Sequence, residues 1–350
     1  MKTEAEGSRS ACERLSGELR STLAEVLKGT EKVALVDFPE HDNVGDSAIW
    51  KGERELLAVL GVEVVYCSTK NSHCVESLKR RLDDSGSILL HGGGNFGDLW
   101  PDFQGFRERV VRDFPGHRIV QMPQTLHFAA TENLRAARGV FGEHQDITLL
   151  VRDETSLELA RSLVGARARL CPDSAFSLRL PRSEIHEYDV LWLMRQDKEA
   201  AANADGIPAI RGTTRVVADW PEDPYRRPEG PRIRRSIDYR LRRLDRRVSQ
   251  DPRTGHLSRL NRPGSLDRRA ARRLAGGLEF LSRGRVVVTD RLHGHILCLL
   301  LGKPHVVLDN SYGKLTGFMA AWGTASESVR VVEDRERAAT AAAELLDVTR

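Results

Sequence analysis

Val288-Thr-Asp-Arg-Leu-His-Gly-His-Ile-Leu-Cys-Leu-Leu-Leu-Gly-Lys-Pro304 decides how this chain folds, because a buried strand turns into a helix within it. Residues 285 to 289, Arg-Val-Val-Val-Thr, form a short β-branched run that fits a strand covered on both faces. Ile296 to Leu301 then read as an apolar helix, stopped by Gly302 and Pro304. Asp290, Arg291, His293 and His295 fall between the two, at the first turn of the helix. There the unpaired backbone N–H groups and the helix dipole favour an anion. An arginine fork and a proton-carrying imidazole at such a place point to phosphate or carboxylate chemistry, with capping of the turn as the plainer role for His293.

The same alternation runs along the rest of the chain. Strands are expected at 32–37, 62–66, 87–91, 117–122, 147–151 and 168–171, and helices at 46–60, 72–82, 103–113, 131–141 and 153–164. Such alternation builds a parallel sheet with helices on both faces. A second unit begins at Asp189, with strands at 214–218, 285–289 and 304–308 and an alanine-rich closing helix from Arg335 to Val348. The expected architecture is α/β: an N-terminal Rossmann-like domain over residues 1–180 and a C-terminal one over 181–350. They are joined near Phe176 to Tyr188 and face each other across a cleft, where ligands meet the carboxyl ends of the strands. Leu15, Leu19, Leu23, Val26 and Leu27 give an amphipathic helix ahead of the first strand.

Composition excludes several classes. With 40% hydrophobic and 30% charged residues the chain reads as a soluble globular protein. The five scattered cysteines show neither metal-ligand nor redox spacing, which fits a reducing cytoplasm. No apolar run approaches the roughly 20 residues that cross a bilayer, and the polar start lacks a signal-peptide core. The net charge of +4 hides an uneven distribution, since 17 arginines lie between Arg226 and Arg273. Ile233, Ile237, Leu241, Leu244 and Val248 recur at spacings of 4, 4, 3 and 4 among them. That is the pattern of a helix lying on an anionic membrane, and equally of one packing its stripe on its own domain. Residues 249–267 read as an irregular loop.

Further chemistry-bearing segments fall where strands end. In Asp37-Phe-Pro-Glu-His-Asp-Asn-Val-Gly-Asp46, Gly45 allows close backbone approach, so that Asn43 and Asp46 can meet a ligand. Asp37, Asp42 and Asp46 suit a turn as well as a cation, and no metal site is assigned. His91-Gly-Gly-Gly-Asn95 sets Gly93, Gly94 and Asn95 in a ligand-contacting loop, with spacing that does not match a dinucleotide fingerprint. A strand expected to stop at Pro123 exposes Gln124, Thr125 and His127. Arg152 ends the next strand, either to bind a ligand or to neutralise Asp153 or Glu154. Asp309-Asn-Ser-Tyr-Gly-Lys314 offers Lys314 as another positive charge.

Asn43-Val-Gly-Asp46, His91-Gly-Gly-Gly-Asn-Phe-Gly-Asp-Leu-Trp-Pro101, Pro123-Gln-Thr125, Arg152-Asp-Glu-Thr-Ser156, Asp290-Arg-Leu-His-Gly-His-Ile296 and Asp309-Asn-Ser-Tyr-Gly-Lys314 run in order through the chain. As a set they resemble the polysaccharide pyruvyl transferase family, especially its bacterial exopolysaccharide branch. The resemblance implies a GT-B-like fold and transfer of the enolpyruvate-derived unit of phosphoenolpyruvate to a sugar, leaving a pyruvate ketal and phosphate, with no cofactor. It puts Arg291 and His293 at the phosphoenolpyruvate site and matches a second donor-binding arginine to Arg152. His293 is the candidate general acid/base. Asp290 is expected to orient it or to anchor the turn, and Asp46 to position the acceptor. The arginine-rich insertion at about 221–273 is not part of the resemblance. It suggests peripheral contact with an anionic membrane at the cytoplasmic face and a lipid-linked acceptor, whereas nucleic acid is not expected. A GT-B glycosyltransferase using a nucleotide sugar shares the architecture and is the rival reading. A non-enzymatic basic module would leave Gly92 to Asn95 and Arg291 to His293 without a purpose.

Overall fold

The structure, a computed structural model, describes residues 2–181, 186–195, 206–221, 244, 248, 251, 263–309, 314–324 and 326–348. Strands β1 (Lys32–Val36), β2 (Glu63–Ser68), β3 (Ser87–Leu90), β4 (Gly93–Gly97), β5 (Arg118–His127), β6 (Ile147–Val151) and β7 (Ala168–Leu170) form one sheet. Its order is β2-β1-β3-β5-β6-β7, with β4 pairing β5. Strands β8 (Tyr188–Leu193), β9 (Arg215–Ala218), β10 (Gly284–Thr289), β11 (His305–Leu308) and β12 (Val329–Val332) form a second, ordered β12-β11-β10-β8-β9. Every pairing in both sheets is parallel.

A parallel strand needs a crossover to reach its neighbour; after α1 (Lys2–Val26), which precedes β1, the crossover helices of the first sheet are α2 (Val44–Val59), α3 (Val75–Lys79), α4 (Pro101–Asp113), α5 (Thr131–Phe141) and α6 (Glu154–Val164). With the second sheet come α7 (Pro263–Ser282), α8 (Leu292–Leu301), α9 (Lys314–Trp322) and α10 (Arg335–Val348). Alternate residues of each strand serve opposite faces. Ala34, Val36, Ile88, Leu90, Leu149 and Val151 pack with α4 to α6. Val33, Leu35, Leu89, Val120 and Leu150 pack on the other face with Leu19, Leu23 and Trp50. The second sheet divides likewise, with Val190, Trp192, Val286 and Val288 against α10.

Part of the layer between the sheets is a shared core. Leu15 of α1 and Val44 and Ala48 of α2 pack in one cluster with Leu191, Val287, Ile296 and Phe318. The connection after β7 belongs to this core: Ala175 and Phe176 are buried, and a Cβ on Gly52 would sit 2.0 Å from the Ser174 carbonyl oxygen. The helix read ahead of the first strand is therefore structural, its Leu15, Leu19 and Leu23 wholly buried.

Three expectations change. The strand expected to stop at Pro123 runs on to His127. The register against β6 shifts between Gln121 and Gln124, and a proline without an N–H is tolerated in a sheet at such a bulge. The glycine run is not a loop. Gly93 to Gly97 form β4, which takes over the place of β3 beside the outer half of β5. Polar side chains patch the break: the buried Glu53 carboxylate accepts from the Gly92 N–H (2.9 Å) and meets His91 Nδ1 (2.8 Å), and Gln121 donates to the Leu90 and His91 carbonyls. Burial alone would lower the His91 pKa, but the Glu53 carboxylate holds it above the usual histidine range.

The third change concerns the loop expected over 249–267, whose end is already helical from Pro263. The apolar-striped arginine helix falls outside the described residues except for Leu244 and Val248. At the end of the arginine block, Arg273 is buried in α7 and donates to the Pro39 and Glu40 carbonyls and to Asp42 (2.8 Å). That part is a packed strut under the loop leading to Asn43. No helix among the described residues is long and apolar enough to cross a membrane.

Candidate active site

Polar residues gather where the carboxyl ends of both sheets meet. β10 ends at Thr289, whose hydroxyl accepts from the Arg291 N–H (3.1 Å) and so turns the chain into α8. Gly294 is required there, because a Cβ would lie 2.4 Å from Thr289 Oγ1. Asp290 is buried and accepts from the Arg195 backbone N–H (2.9 Å), an anchor between β10 and the end of β8. Burial pushes its carboxyl up to about 6. Of its two expected roles the geometry gives the anchor; the carboxylate beside His293 is a different one.

That carboxylate is Asp173, which follows β7. His293 Nε2 lies 3.3 Å from Asp173 Oδ2, a close contact whose angle departs from that of a hydrogen bond. The same oxygen receives Arg152 Nη1 at 2.6 Å, and the other carboxylate oxygen accepts from the Ala175 N–H (2.9 Å). Burial alone would raise the Asp173 pKa; His293 and Arg152 outweigh it and hold the group far below the usual carboxylate range. Behind His293 is Gly45, where a Cβ would come 2.5 Å from the ring Nδ1. The second sheet thus delivers an imidazole into a socket built by the first.

Arg152 does not neutralise Asp153 or Glu154. Its Nε donates to Thr125 Oγ1 (2.8 Å), while Asp153 caps α6 by accepting from the Ser156 N–H (2.7 Å). Arg152 Nη2 passes 3.2 Å from the place where Gly94 would carry a Cβ. The carbonyl of Arg152 accepts from Trp322 Nε1 (2.8 Å), tying α9 to the end of β6. Arg291 is gripped along one edge by Asp219, Nε to Oδ1 at 2.6 Å and Nη2 to Oδ2 at 2.5 Å. Both candidate anion-binding arginines therefore carry a carboxylate partner.

On the far side of Gly45, Asn43 caps α2 by accepting from the Gly45 N–H (2.9 Å). A Cβ on Gly93, whose φ is 129°, would lie 3.1 Å from Asp46 Oδ1 and 3.6 Å from Gln124 Oε1. Gln124 Nε2 donates to Asn95 Oδ1 (3.1 Å), and Arg107 donates to both the Asn95 carbonyl (2.9 Å) and Asn95 Oδ1. Arg107 is buried against Asp37 (2.9 Å). Lys314 opens α9, and its side chain lies outside the described residues.

The motifs read from the sequence are thus brought to one place at Asn43, Gly45, Asp46, Gly93, Gly94, Asn95, Gln124, Arg152 and His293, while Arg291, two positions before His293, turns its guanidinium to Asp219. The sequence reading missed Asp173, Asp219, Arg107 and Asp37 as partners. Asp173, within Cys171-Pro-Asp-Ser, does follow a strand end as the recognised residues do, which is a usable signal. Arg107, in the middle of an ordinary amphipathic helix, offers none.

Arginines at strand ends beside a helix N-terminus and an imidazole, in a parallel α/β fold, are groups of the kind that can meet an anion. Residues 43–312 match the family model described as polysaccharide pyruvyl transferase. The chain is 37% identical over 327 residues to Pyruvyl transferase 1 of Schizosaccharomyces pombe, covering 87% of this chain and 74% of that one. It is 27% identical over 318 residues to EpsO of Bacillus subtilis, whose name as a pyruvyl transferase is itself provisional, covering 89% and 92%. A crystal structure of a functionally uncharacterised Klebsiella pneumoniae protein shares the fold, with a TM-score of 0.55 at 15% identity over 91% of this chain and 99% of that one. The chain belongs to the polysaccharide pyruvyl transferase family.

Proposed function

We propose that this transferase moves the enolpyruvate-derived unit of phosphoenolpyruvate to a sugar of a polysaccharide or glycolipid precursor, forming a pyruvate ketal and releasing phosphate. The observation that carries the reading is the meeting on one carboxylate, Asp173, of Arg152 and of His293, which lies in the first turn of a helix whose N-cap residue is Arg291. A donor with about three negative charges suits two guanidinium groups, whose forked N–H pairs match carboxylate and phosphate. In this scheme His293 gives a proton to the methylene carbon, and a sugar hydroxyl adds to the neighbouring carbon while its own proton restores the imidazole. A second hydroxyl of the same sugar then displaces phosphate, which leaves with the remaining proton. The two halves are read as a GT-B-like pair.

The test is incubation with phosphoenolpyruvate and a panel of glycosides, read by phosphate release and product mass. An adduct heavier than the acceptor by one pyruvate less one water is expected. Release of a nucleoside diphosphate from a nucleotide sugar instead would place the chain among glycosyltransferases. The arginine block is read as peripheral contact with an anionic bilayer carrying a lipid-linked acceptor. Salt-sensitive co-sedimentation with anionic vesicles is the expected result, because the attraction of arginines to such a surface is screened within a Debye length.

A further inference from the structure

The buried chain Asp37, Arg107, Asn95, Gln124 fixes the direction of two amides. A guanidinium carries only donors, so the Asn95 atom facing Arg107 is its oxygen. The Gln124 atom facing that oxygen is then its NH2 group, at 3.1 Å. Gln124 Oε1 is consequently turned the other way, toward Gly93, where it is wholly buried and receives no hydrogen bond. Asp46 Oδ1 approaches the same point above Gly93, and the His41 ring stands 3.7 Å from the other oxygen of that carboxylate. Two acceptor oxygens thus converge beside a glycine whose φ of 129° leaves no room for a side chain without strain.

The device is anchored at a strained residue. Asp37 is the one described residue other than glycine with positive φ (72°), a strained conformation for a residue with a side chain. The turn at the end of β1 brings its carboxylate to Arg107, and both are buried. A buried polar acceptor without a donor is unfavourable unless a ligand supplies one. The group that fits two neighbouring acceptors is a pair of hydroxyls.

We propose that Asp46 and Gln124 form the acceptor subsite, taking hydrogen bonds from two hydroxyls of one pyranoside, with Asn95, Arg107 and Asp37 as positioning residues. The assignment rests on the ketal-forming reading in one respect: a cyclic ketal consumes two hydroxyls of the same sugar, and this subsite reads two.

The experiment measures binding of methyl hexopyranosides of galacto, gluco and manno configuration, and of their monodeoxy analogues, by calorimetry without phosphoenolpyruvate. Wild type is expected to bind one configuration and to lose roughly tenfold when either of two hydroxyls is removed. Gln124→Met and Asp46→Asn should each weaken that glycoside by about tenfold and abolish discrimination at one hydroxyl. Inorganic phosphate affinity should stay within twofold, which also reports that each variant is folded. Arg107→Lys keeps the charge beside Asp37 but loses the fork, and should raise the acceptor KM with donor KM unchanged. Glycoside binding that is undetectable in wild type or unaltered in both variants overturns the assignment, as does a saturable Mg2+ or Ca2+ site lost in Asp46→Asn. If the variants lose glycoside binding while phosphoenolpyruvate supports no turnover, the subsite stands and the donor reading falls. Phosphoenolpyruvate turnover with a wild-type acceptor KM in both variants is the reverse result.

Discussion

His293 and Asp173 meet across the boundary between the two sheets, Nε2 to Oδ2 at 3.3 Å, and Arg152 holds the same carboxylate oxygen at 2.6 Å. The imidazole thus shares its carboxylate with an arginine of the same site. His293→Ala removes the proposed acid/base group and leaves the Arg152 and Asp173 pair intact. Turnover should drop by ~10² to 10⁴ while donor affinity changes little. Asp173→Asn should behave differently, because it leaves Arg152 buried without a counter-charge. Breaking such a pair costs about 3–5 kcal/mol, so denaturant stability and turnover should fall together. Near-wild-type phosphate release by His293→Ala would remove His293 from the mechanism.

Arg291 is neutralised by a partner of another kind. Each carboxylate accepts from a backbone N–H, Asp173 from Ala175 (2.9 Å) and Asp219 from Trp220 (2.6 Å), but Asp173 is wholly buried whereas the Asp219 side chain is 20% exposed at the end of an edge strand. The proposed trianionic donor competes with these carboxylates for the arginines, and Asp219 is the more exposed of the two. Asp219→Asn should therefore tighten donor binding by ~10-fold, measured as a phosphoenolpyruvate Kd. Weaker donor binding in this variant would mean that Asp219 serves to hold Arg291 in its working position.

Gly45 offers a separation of stability from activity. It occupies the first turn of α2, where alanine is favoured over glycine by up to about 1 kcal/mol. Yet the added Cβ would lie 2.5 Å from His293 Nδ1 and 2.8 Å from its Cβ, so the whole residue must shift. Gly45→Ala is expected to keep a Tm near wild type and to lose at least ~10-fold in turnover. A fall in Tm with unimpaired turnover would show that Gly45 matters to packing alone.

What was legible in the sequence followed from local signals. The β-branched run before Asp290 and the apolar stripe ending at Gly302 carry strand, turn and helix in one stretch, and β10 and α8 lie where that reading puts them. Gly45, Gly93 and Gly94 announced close approach, and each approaches a polar side chain of the site. The illegible part is pairing across distance. Asp173 lies 120 positions from His293, and Asp219 lies 72 from Arg291. No spacing rule connects such residues, since parallel crossovers of different length bring their strand ends together. Pro123 misled for a local reason: proline stops most strands, and only the bulge against β6 lets this one continue.

Far from the site, His73 provides a test of the packing itself. Its ring lies among Tyr66, Phe106 and Phe114, with centroids 6.0, 5.3 and 6.4 Å away. Burial, with the Arg109 charge nearby, pushes the imidazole down to about 4. The unfolded chain binds this proton near pH 6.5 and the folded one does not, so unfolding takes up a proton between those values. Stability from this group is complete above pH 6.5 and is lost as pH falls toward 4, on the order of 3 kcal/mol in all. Asp37 and Asp290, pushed up to about 6 by burial, act in the opposite sense, because acid neutralises them first in the folded state. His73→Phe removes one acid-sensitive group and leaves both carboxyls. Urea unfolding at pH 7.0 and 4.5 should show the variant losing roughly 2 to 3 kcal/mol less than wild type over that interval. Parallel losses in the two proteins would mean that the ring takes its proton inside the folded aromatic cluster.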